Sequence, residues 1–138
     1  MTSISNCPLA LGRKRVSRDN VRTMVVELKK EQLAALRGKF IVLDGPDGAG
    51  KSAQSARLMK ALAETGVPAM ACRDPGSTVI GERIRSVLLD HDLSTMDANC
   101  ETMLFMASRA QLVAEIIGPA LSRGEAVICD RYVSSTCA

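Results

Sequence analysis

Lys39-Phe40-Ile41-Val42-Leu43-Asp44 runs straight into Gly45-Pro46-Asp47-Gly48-Ala49-Gly50-Lys51-Ser52, and this stretch decides the fold. A short apolar run, a glycine-rich turn and Lys-Ser opening a helix match the pattern G-x-x-x-x-G-K-[ST] in the strand–turn–helix setting it requires. Gly45, Gly48 and Gly50 permit backbone angles closed to other residues, so main-chain N–H groups can close around an anion. The helix that starts near Lys51 adds the positive end of its dipole. Lys51 is then placed to reach β- and γ-phosphates, and the Ser52 hydroxyl to complete a magnesium shell. A glycine-rich turn with an unrelated lysine is the alternative, and the flanking strand and helix weigh against it. The stretch reads as a nucleoside-triphosphate site.

The whole chain has 138 residues, a length suited to one domain. Its apolar fraction of 46% is enough for a single core, but with only 2% aromatic residues that core rests on Val, Ile, Leu, Met and Ala. Cys7, Cys72, Cys100, Cys129 and Cys137 are odd in number and include no C-x-x-C pair. That argues against a disulfide framework or a zinc site and points to a reducing, cytoplasmic setting. No apolar stretch approaches the roughly 20 residues of a membrane span, so no membrane partner is expected. The net charge of +3 is uneven: residues 1–37 hold eight Lys/Arg against three Asp/Glu, leaving ten against twelve in the remainder. Charge therefore does not suggest nucleic acid as a partner of the main body.

Two segments are expected. Residues 1–37 form a basic leader, without a secretory apolar core, followed by an amphipathic helix over about Arg18–Arg37. Val21, Val25, Leu28, Leu33 and Leu36 set its apolar side, and Gly38 caps its end. The leader weakly resembles an organelle transit peptide, a disordered tail or a start codon placed too early being the plainer readings, with Met24 an alternative start. Residues 38–138 form the domain proper. Ile41–Leu43 reads as a strand buried on both faces. A helix follows to about Thr65, with Leu58, Met59 and Leu62 inward. Val67–Cys72 is a second strand, and Arg73–Thr78 a polar loop at its end. Ser77 or Thr78 can cap a helix over about Ile80–Leu89 with Ile84, Val87 and Leu88 inward. Ser94-x-x-Asp97 signals the start of a long helix over about Met96–Arg123, with Met103, Leu104, Ala107, Leu112, Ile116 and Leu121 among its apolar positions. Gly118-Pro119 should kink or split it. Ala126–Cys129 is a third strand, ending at Asp130-Arg131-Tyr132. This order is the α/β pattern and predicts a parallel sheet with its ligands at the carboxyl ends of the strands.

Further polar groups gather at those ends. Asp130 at a strand tip suits a carboxylate that helps hold magnesium, and Arg131 beside it can pair with a second phosphate group. Phe105 and Arg109, four apart on one helix face, suit a planar base, although a core phenylalanine beside a solvated arginine would give the same spacing. Arg83 and Arg85 lie on the preceding helix, where a solvated face is the plain reading.

Four ordered stretches carry a family resemblance. Gly45–Ser52, Arg73-Asp74-Pro75-Gly76-Ser77-Thr78, Leu104-Phe105-Met106-Ala107-Ser108-Arg109-Ala110-Gln111 and Asp130-Arg131-Tyr132-Val133-Ser134-Ser135-Thr136 resemble bacterial thymidylate kinases in order and spacing, over about residues 39–138. The resemblance implies a P-loop kinase fold, a three-layer α/β/α sandwich with about three of its five strands present. It implies transfer of the ATP γ-phosphate to dTMP with Mg2+, usually in a homodimer. Gly45, Pro46, Asp47, Gly48, Ala49, Gly50, Lys51 and Ser52 would bind ATP, with Ser52 and Asp130 serving the metal. Asp47 would also meet the 3′-hydroxyl of the acceptor. Phe105 would stack on thymine, Arg109 would bond its edge, and Ser135 and Thr136 would border it. Arg131 would hold the acceptor phosphate with Arg85 and Arg73 nearby, and Lys51, Arg131 and Asp130 would be the catalytic set. Pro75 matches a position where the family has a cis peptide.

Two departures shape the expectation. The loop reads Asp-Pro-Gly-Ser-Thr where Glu-Pro-Gly-Gly-Thr is more usual. The family also continues past the position of Ala138, with a tyrosine against the sugar, further strands and a mobile lid. Members without arginine in the glycine loop take a catalytic arginine from that lid. The chain is therefore expected to be a truncated family member, with weak nucleotide binding and little turnover. The other readings are a different nucleoside-monophosphate or deoxynucleoside kinase, and a non-catalytic nucleotide-binding module.

Overall fold

The structure is a computed structural model, and it describes residues 29–93 and 95–133. Three strands form one parallel sheet in the order β1-β3-β2: β1 is Phe40–Leu43, β2 Ala69–Arg73 and β3 Ala126–Asp130. Register is direct, Leu43 and Arg73 both pairing with Asp130. The three strands therefore end level, and their polar residues emerge at one edge. Helices α1 (Lys30–Ala34) and α2 (Lys51–Glu64) precede β2. Between β2 and β3 come α3 (Val79–Leu88), α4 (Ala98–Leu112) and α5 (Gly118–Ser122).

Period-2 alternation along the strands sorts the core into two halves. Phe40, Val42, Cys72, Val127 and Cys129 pack with Leu112, Ile117, Ala120 and Leu121 of the long helix. Ile41, Leu43, Ala69, Ala126 and Ile128 pack with Leu58, Met59 and Leu62 of α2 and Leu33 of α1. The result is the three-layer α/β/α arrangement expected. Leu62, Leu112 and Ile128 are fully buried, and each such side chain contributes about 1.5–3 kcal/mol of burial.

Several sequence expectations need correction. β3, not β1, is the strand buried on both faces: Ala126–Cys129 are closed off, while all four residues of β1 are half-buried. The apolar run of β1 has a strand partner on one side only among the described residues. Val87 is exposed, not inward, and Met103 and Ala107 of the long helix's apolar positions are exposed as well. Gly118-Pro119 sets the short α5 off from α4 without ending the run of helix over Ala98–Ser122. The turn before it widens instead, over Val113–Ile117, with the Gly118 N–H donating to the Val113 carbonyl. A proline cannot bond back one ordinary turn and clashes with the carbonyl there, and a π turn relieves both. The continuous helix Ala98–Ser122 is long and apolar enough to cross a membrane by length and composition, against the expectation of no such stretch. It owes this to scattered Met, Leu and Ala, and here it packs along the sheet with a buried ion pair on its length.

Helix ends follow the sequence closely. Gly66 (φ +71) and Gly124 (φ +75) close α2 and α5 with left-handed caps, the Val67 N–H reaching the Leu62 carbonyl at 2.9 Å and the Glu125 N–H that of Ala120 at 3.0 Å. Of the two candidate caps for α3, Thr78 is used, its hydroxyl accepting from the Gly81 N–H at 2.9 Å. Asp97 caps α4 through the Asn99 N–H. Of the expected Arg18–Arg37 helix, Lys30–Ala34 is seen; residues 1–28, Ser94, Ser135 and Thr136 lie outside the described residues.

Candidate active site

Two cavities adjoin at the carboxyl edge of the sheet. The first, about 390 Å³, is lined by Asp47, Gly48, Gly50, Lys51, Ser52 and Ala53 of the glycine loop, by Asp130, and by Arg73, Arg85 and Arg131. The second, about 360 Å³, is lined by Phe105, Arg109, Tyr132, Asp74, Pro75 and Leu88 and Leu89. Asp47, Arg85 and Arg131 belong to both.

The glycine loop takes its shape from the backbone. Gly45 (φ +144), Gly48 (φ +78) and Gly50 (φ +87) sit in conformations that other residues avoid, and Gly50 caps α2, which starts at Lys51. The Lys51 ammonium donates to the carbonyls of Gly45 at 2.9 Å and Pro46 at 2.8 Å, closing the loop on itself. Asp47, almost wholly exposed, hydrogen-bonds Arg131 and stands 3.9 Å from Lys51. Arg131 also lies 3.9 Å from Asp44. Its φ of +67 is left-handed, which costs a non-glycine residue roughly 1–2 kcal/mol. Its N–H donates to the Leu43 carbonyl at 3.0 Å, and its own carbonyl accepts from the Cys129 thiol at 3.0 Å. The neighbouring Cys72 sulfur, together with burial, holds that Cys129 thiol well above its ordinary pKa.

The second loop is built by side chains. Asp74-Pro75 is cis, at the position the family resemblance singled out. Arg73 donates to both Glu82 oxygens, at 2.9 and 3.1 Å, and the Ser77 N–H donates to Glu82 at 2.7 Å. These bonds, the Ser77 amide first and Arg73 next, hold the Glu82 carboxyl below its ordinary pKa. The Ser108 hydroxyl accepts from the Gly76 N–H at 3.3 Å, and Arg85 donates to the Pro75 carbonyl at 3.0 Å.

Arg109 corrects the picture of a solvated arginine. It is 6% exposed, and its Nε donates to Asp74 at 2.7 Å. Its guanidinium also lies 4.9 Å from the centre of the Tyr132 ring, which packs edge-on against Phe40. Burial pushes the Asp74 carboxyl above its usual range, although Arg109 pulls it down. Asp74, Glu82 and Tyr132 are the site residues that sequence reasoning did not single out. Asp74 and Glu82 act on arginines through partners distant in sequence, and Tyr132 was legible only as the neighbour of Arg131.

Asp130 presents a donor suited to a hard cation. Its Oδ1 is buried and has no hydrogen-bond partner in the structure, and the exposed Ser52 hydroxyl lines the same cavity. One carboxylate and one hydroxyl beside a phosphate loop fit magnesium, which takes few protein ligands and completes its shell with water and phosphate oxygens. Among the described residues there is no cluster of three or more His, Cys, Asp or Glu side chains that would hold a metal on its own.

A glycine cradle on a strand-to-helix turn, level with an aspartate-tipped strand in a parallel sheet, defines a P-loop nucleotide-binding protein. The match goes further, because the thymidylate kinase family model covers residues 43–138. The chain belongs to the thymidylate kinase family. It is 48% identical over 102 residues to the thymidylate kinase of Deinococcus radiodurans, covering 74% of this chain and 49% of that one. It is 44% identical over 100 residues to that of Bordetella pertussis, covering 72% and 47%. Among solved structures, thymidylate kinase from Ehrlichia chaffeensis superposes with a TM-score of 0.63 at 35% identity, covering 70% of this chain and 55% of that chain. The enzyme from Candida albicans gives 0.60 at 32%, covering 72% and 42%. The chain spans about half the length of the curated relatives it matches.

Proposed function

We propose that this chain carries the nucleotide-binding part of an enzyme that transfers the γ-phosphate of ATP to dTMP, giving ADP and dTDP. The observation that carries the reading is the pair of adjoining cavities with Asp47, Arg85 and Arg131 common to both. Phosphoryl transfer asks a protein chiefly to position two groups and stabilise spread negative charge, and such a seam supports both tasks.

On this reading the main-chain N–H groups of Gly45–Ser52 and the Lys51 ammonium bind the ATP phosphates. Arg131, with Arg85 and Arg73, holds the acceptor phosphate. In doing so Arg131 exchanges its Asp47 partner for phosphate oxygens, and the Asp47 carboxylate is released toward the sugar 3′-hydroxyl. Phe105 offers its ring to thymine, and Arg109, fixed by Asp74 and Tyr132, faces the base edge. Ser135 and Thr136 would border the base. Asp130 and Ser52 would hold magnesium, which supplies charge neutralisation on the transferring phosphate. A homodimer in the cytoplasm belongs to the same reading.

Calorimetric titration of ATP and of dTMP, dUMP, dCMP and AMP, run beside a coupled ADP-release assay, tests it. dTMP should bind in preference to the other acceptors, and Phe105→Ala should remove that preference. Preferential binding of AMP, or of no acceptor at all, would overturn the assignment. Binding without ADP release would favour the non-catalytic module over the kinase.

A further inference from the structure

Cys72 and Cys129 take no part in the reading above, yet they stand directly beneath the site. They are paired residues of the neighbouring parallel strands β2 and β3. Both belong to the core on the α4–α5 side, so their side chains leave the sheet on the same face as strand neighbours. Neighbouring strands lie about 4.7–4.9 Å apart, within the roughly 4.4–6.8 Å between Cα atoms that a disulfide can bridge. Both cysteines are free. Each is followed at once by site residues, Arg73-Asp74 in one strand and Asp130-Arg131 in the other. The Cys129 thiol, moreover, donates to the carbonyl of Arg131, the left-handed residue shared by both cavities.

We propose that Cys72 and Cys129 form a redox-reactive pair, which a peroxide-class oxidant joins into a disulfide that removes the S–H bond holding Arg131. Cys72, the member with residual exposure, attacks a peroxide oxygen. The O–O bond breaks, a sulfenic acid forms on Cys72, and the departing oxygen leaves as water with the thiol proton. The Cys129 sulfur then attacks the sulfenic sulfur: the S–S bond forms, the S–O bond breaks, and a second water carries off the Cys129 proton. The two sulfurs together give up two electrons, which the peroxide takes up. Cys129 is left with no proton to donate, so the Arg131 carbonyl loses that bond while the strand ends are drawn together. Cys100, exposed on α4, does not face another cysteine across a strand pair. The consequence for phosphate binding rests on the reading of Arg131 given above, whereas formation of the disulfide does not.

The test treats the chain carrying Cys7→Ser, Cys100→Ser and Cys137→Ser with hydrogen peroxide, followed by alkylation, intact mass and peptide mapping. The unsubstituted chain is mapped in parallel, in case those replacements disturb folding. The expected result is loss of two hydrogens, a cross-linked peptide joining Cys72 and Cys129, and full reversal by dithiothreitol. Hydrogen exchange across residues 129–133 should rise on oxidation, and Cys72→Ala should abolish both the cross-link and the rise. Inorganic tripolyphosphate should bind about fivefold to tenfold more weakly after oxidation, the worth of one net hydrogen bond. The absence of the cross-link, separate oxidation of the two thiols to sulfinic acids, or a cross-link with unchanged exchange at 129–133 would each overturn the proposal. If the reduced chain fails to bind tripolyphosphate, the kinase reading fails, while mapping and exchange still decide the cysteine pair.

Discussion

The glycine loop 45–52 and the loop 73–78 leave the two strands that flank β3, and both line the same first cavity. They are held by different means. The glycine loop is closed mainly by its own atoms: Lys51 on the Gly45 and Pro46 carbonyls, and the Asp44 carboxylate on the Gly45 N–H. The 73–78 loop is fastened to α3 and α4 by Glu82, Arg85, Ser108 and Arg109. A backbone cradle waits for an anion to satisfy it, whereas a side-chain scaffold is satisfied before any ligand arrives. Damage to the first should therefore appear in binding, and damage to the second in stability.

The largest effect should come from the scaffold. Arg109→Ala leaves the buried Asp74 carboxylate without its charged partner, its Oδ1 already lacking one. Breaking such a pair costs about 3–5 kcal/mol, read as a lower midpoint in chemical denaturation with an unchanged slope. A loss near zero would mean that the pair is dispensable and the contrast between the loops is wrong. On the other side, Lys51→Met gives up two carbonyl bonds within its own loop and should lower that midpoint less, by about 1–2 kcal/mol. It should weaken ATP about 10–100-fold, the worth of a charged hydrogen bond to phosphate. Calorimetry and denaturation on the same variant separate the two.

These two loops also mark what the sequence could and could not tell. Gly45–Ser52 is contiguous, and its three glycines are required by local backbone geometry, so eight neighbours sufficed to recognise it. The i, i+4 spacing rightly placed Phe105 and Arg109 together, and both line the second cavity. That Arg109 would be buried was not legible, because its partner lies 35 residues away across a cis proline turn. Glu82 likewise carries no local signal, since the Ser77 amide and the Arg73 guanidinium that it holds come to it only through the fold of the loop. β1 misled for a related reason: an apolar run records what a strand can bury, and its neighbours decide what it does bury.

The glycines offer a finer comparison. Gly48 and Gly76 both have positive φ, so alanine is strained at either. An alanine Cβ at Gly48 meets nothing within 4 Å, but at Gly76 it would lie 2.6 Å from a Glu82 oxygen and 3.3 Å from the Arg73 Nε. Each substitution should cost about 1–2 kcal/mol from the backbone alone. Gly76→Ala should be the costlier, because it also pushes Glu82 off Arg73 and Ser77. Equal losses in denaturation would show that Glu82 moves aside freely and that the latch is loose.

The smallest effect concerns that latch as pH falls. The folded Glu82 carboxyl lies below its ordinary value of 4.5, because the Ser77 N–H and then Arg73 hydrogen-bond its charged form. A depressed carboxylate contributes stability that is fully present above the unfolded value and disappears as pH falls through the folded one. Glu82 is about half exposed, so solvent screening keeps the contribution small. Carbon-detected NMR titration should therefore find the Glu82 midpoint below 4.5. Exchange of the Ser77 amide should be slow at neutral pH and quicken through that midpoint. Glu82→Gln should make Ser77 exchange faster at neutral pH and remove the pH step, while amides of the glycine loop stay unchanged. A Glu82 midpoint at or above its ordinary value would mean that Arg73 is not held in solution, and the 73–78 loop would then resemble its neighbour, a cradle shaped only when phosphate arrives.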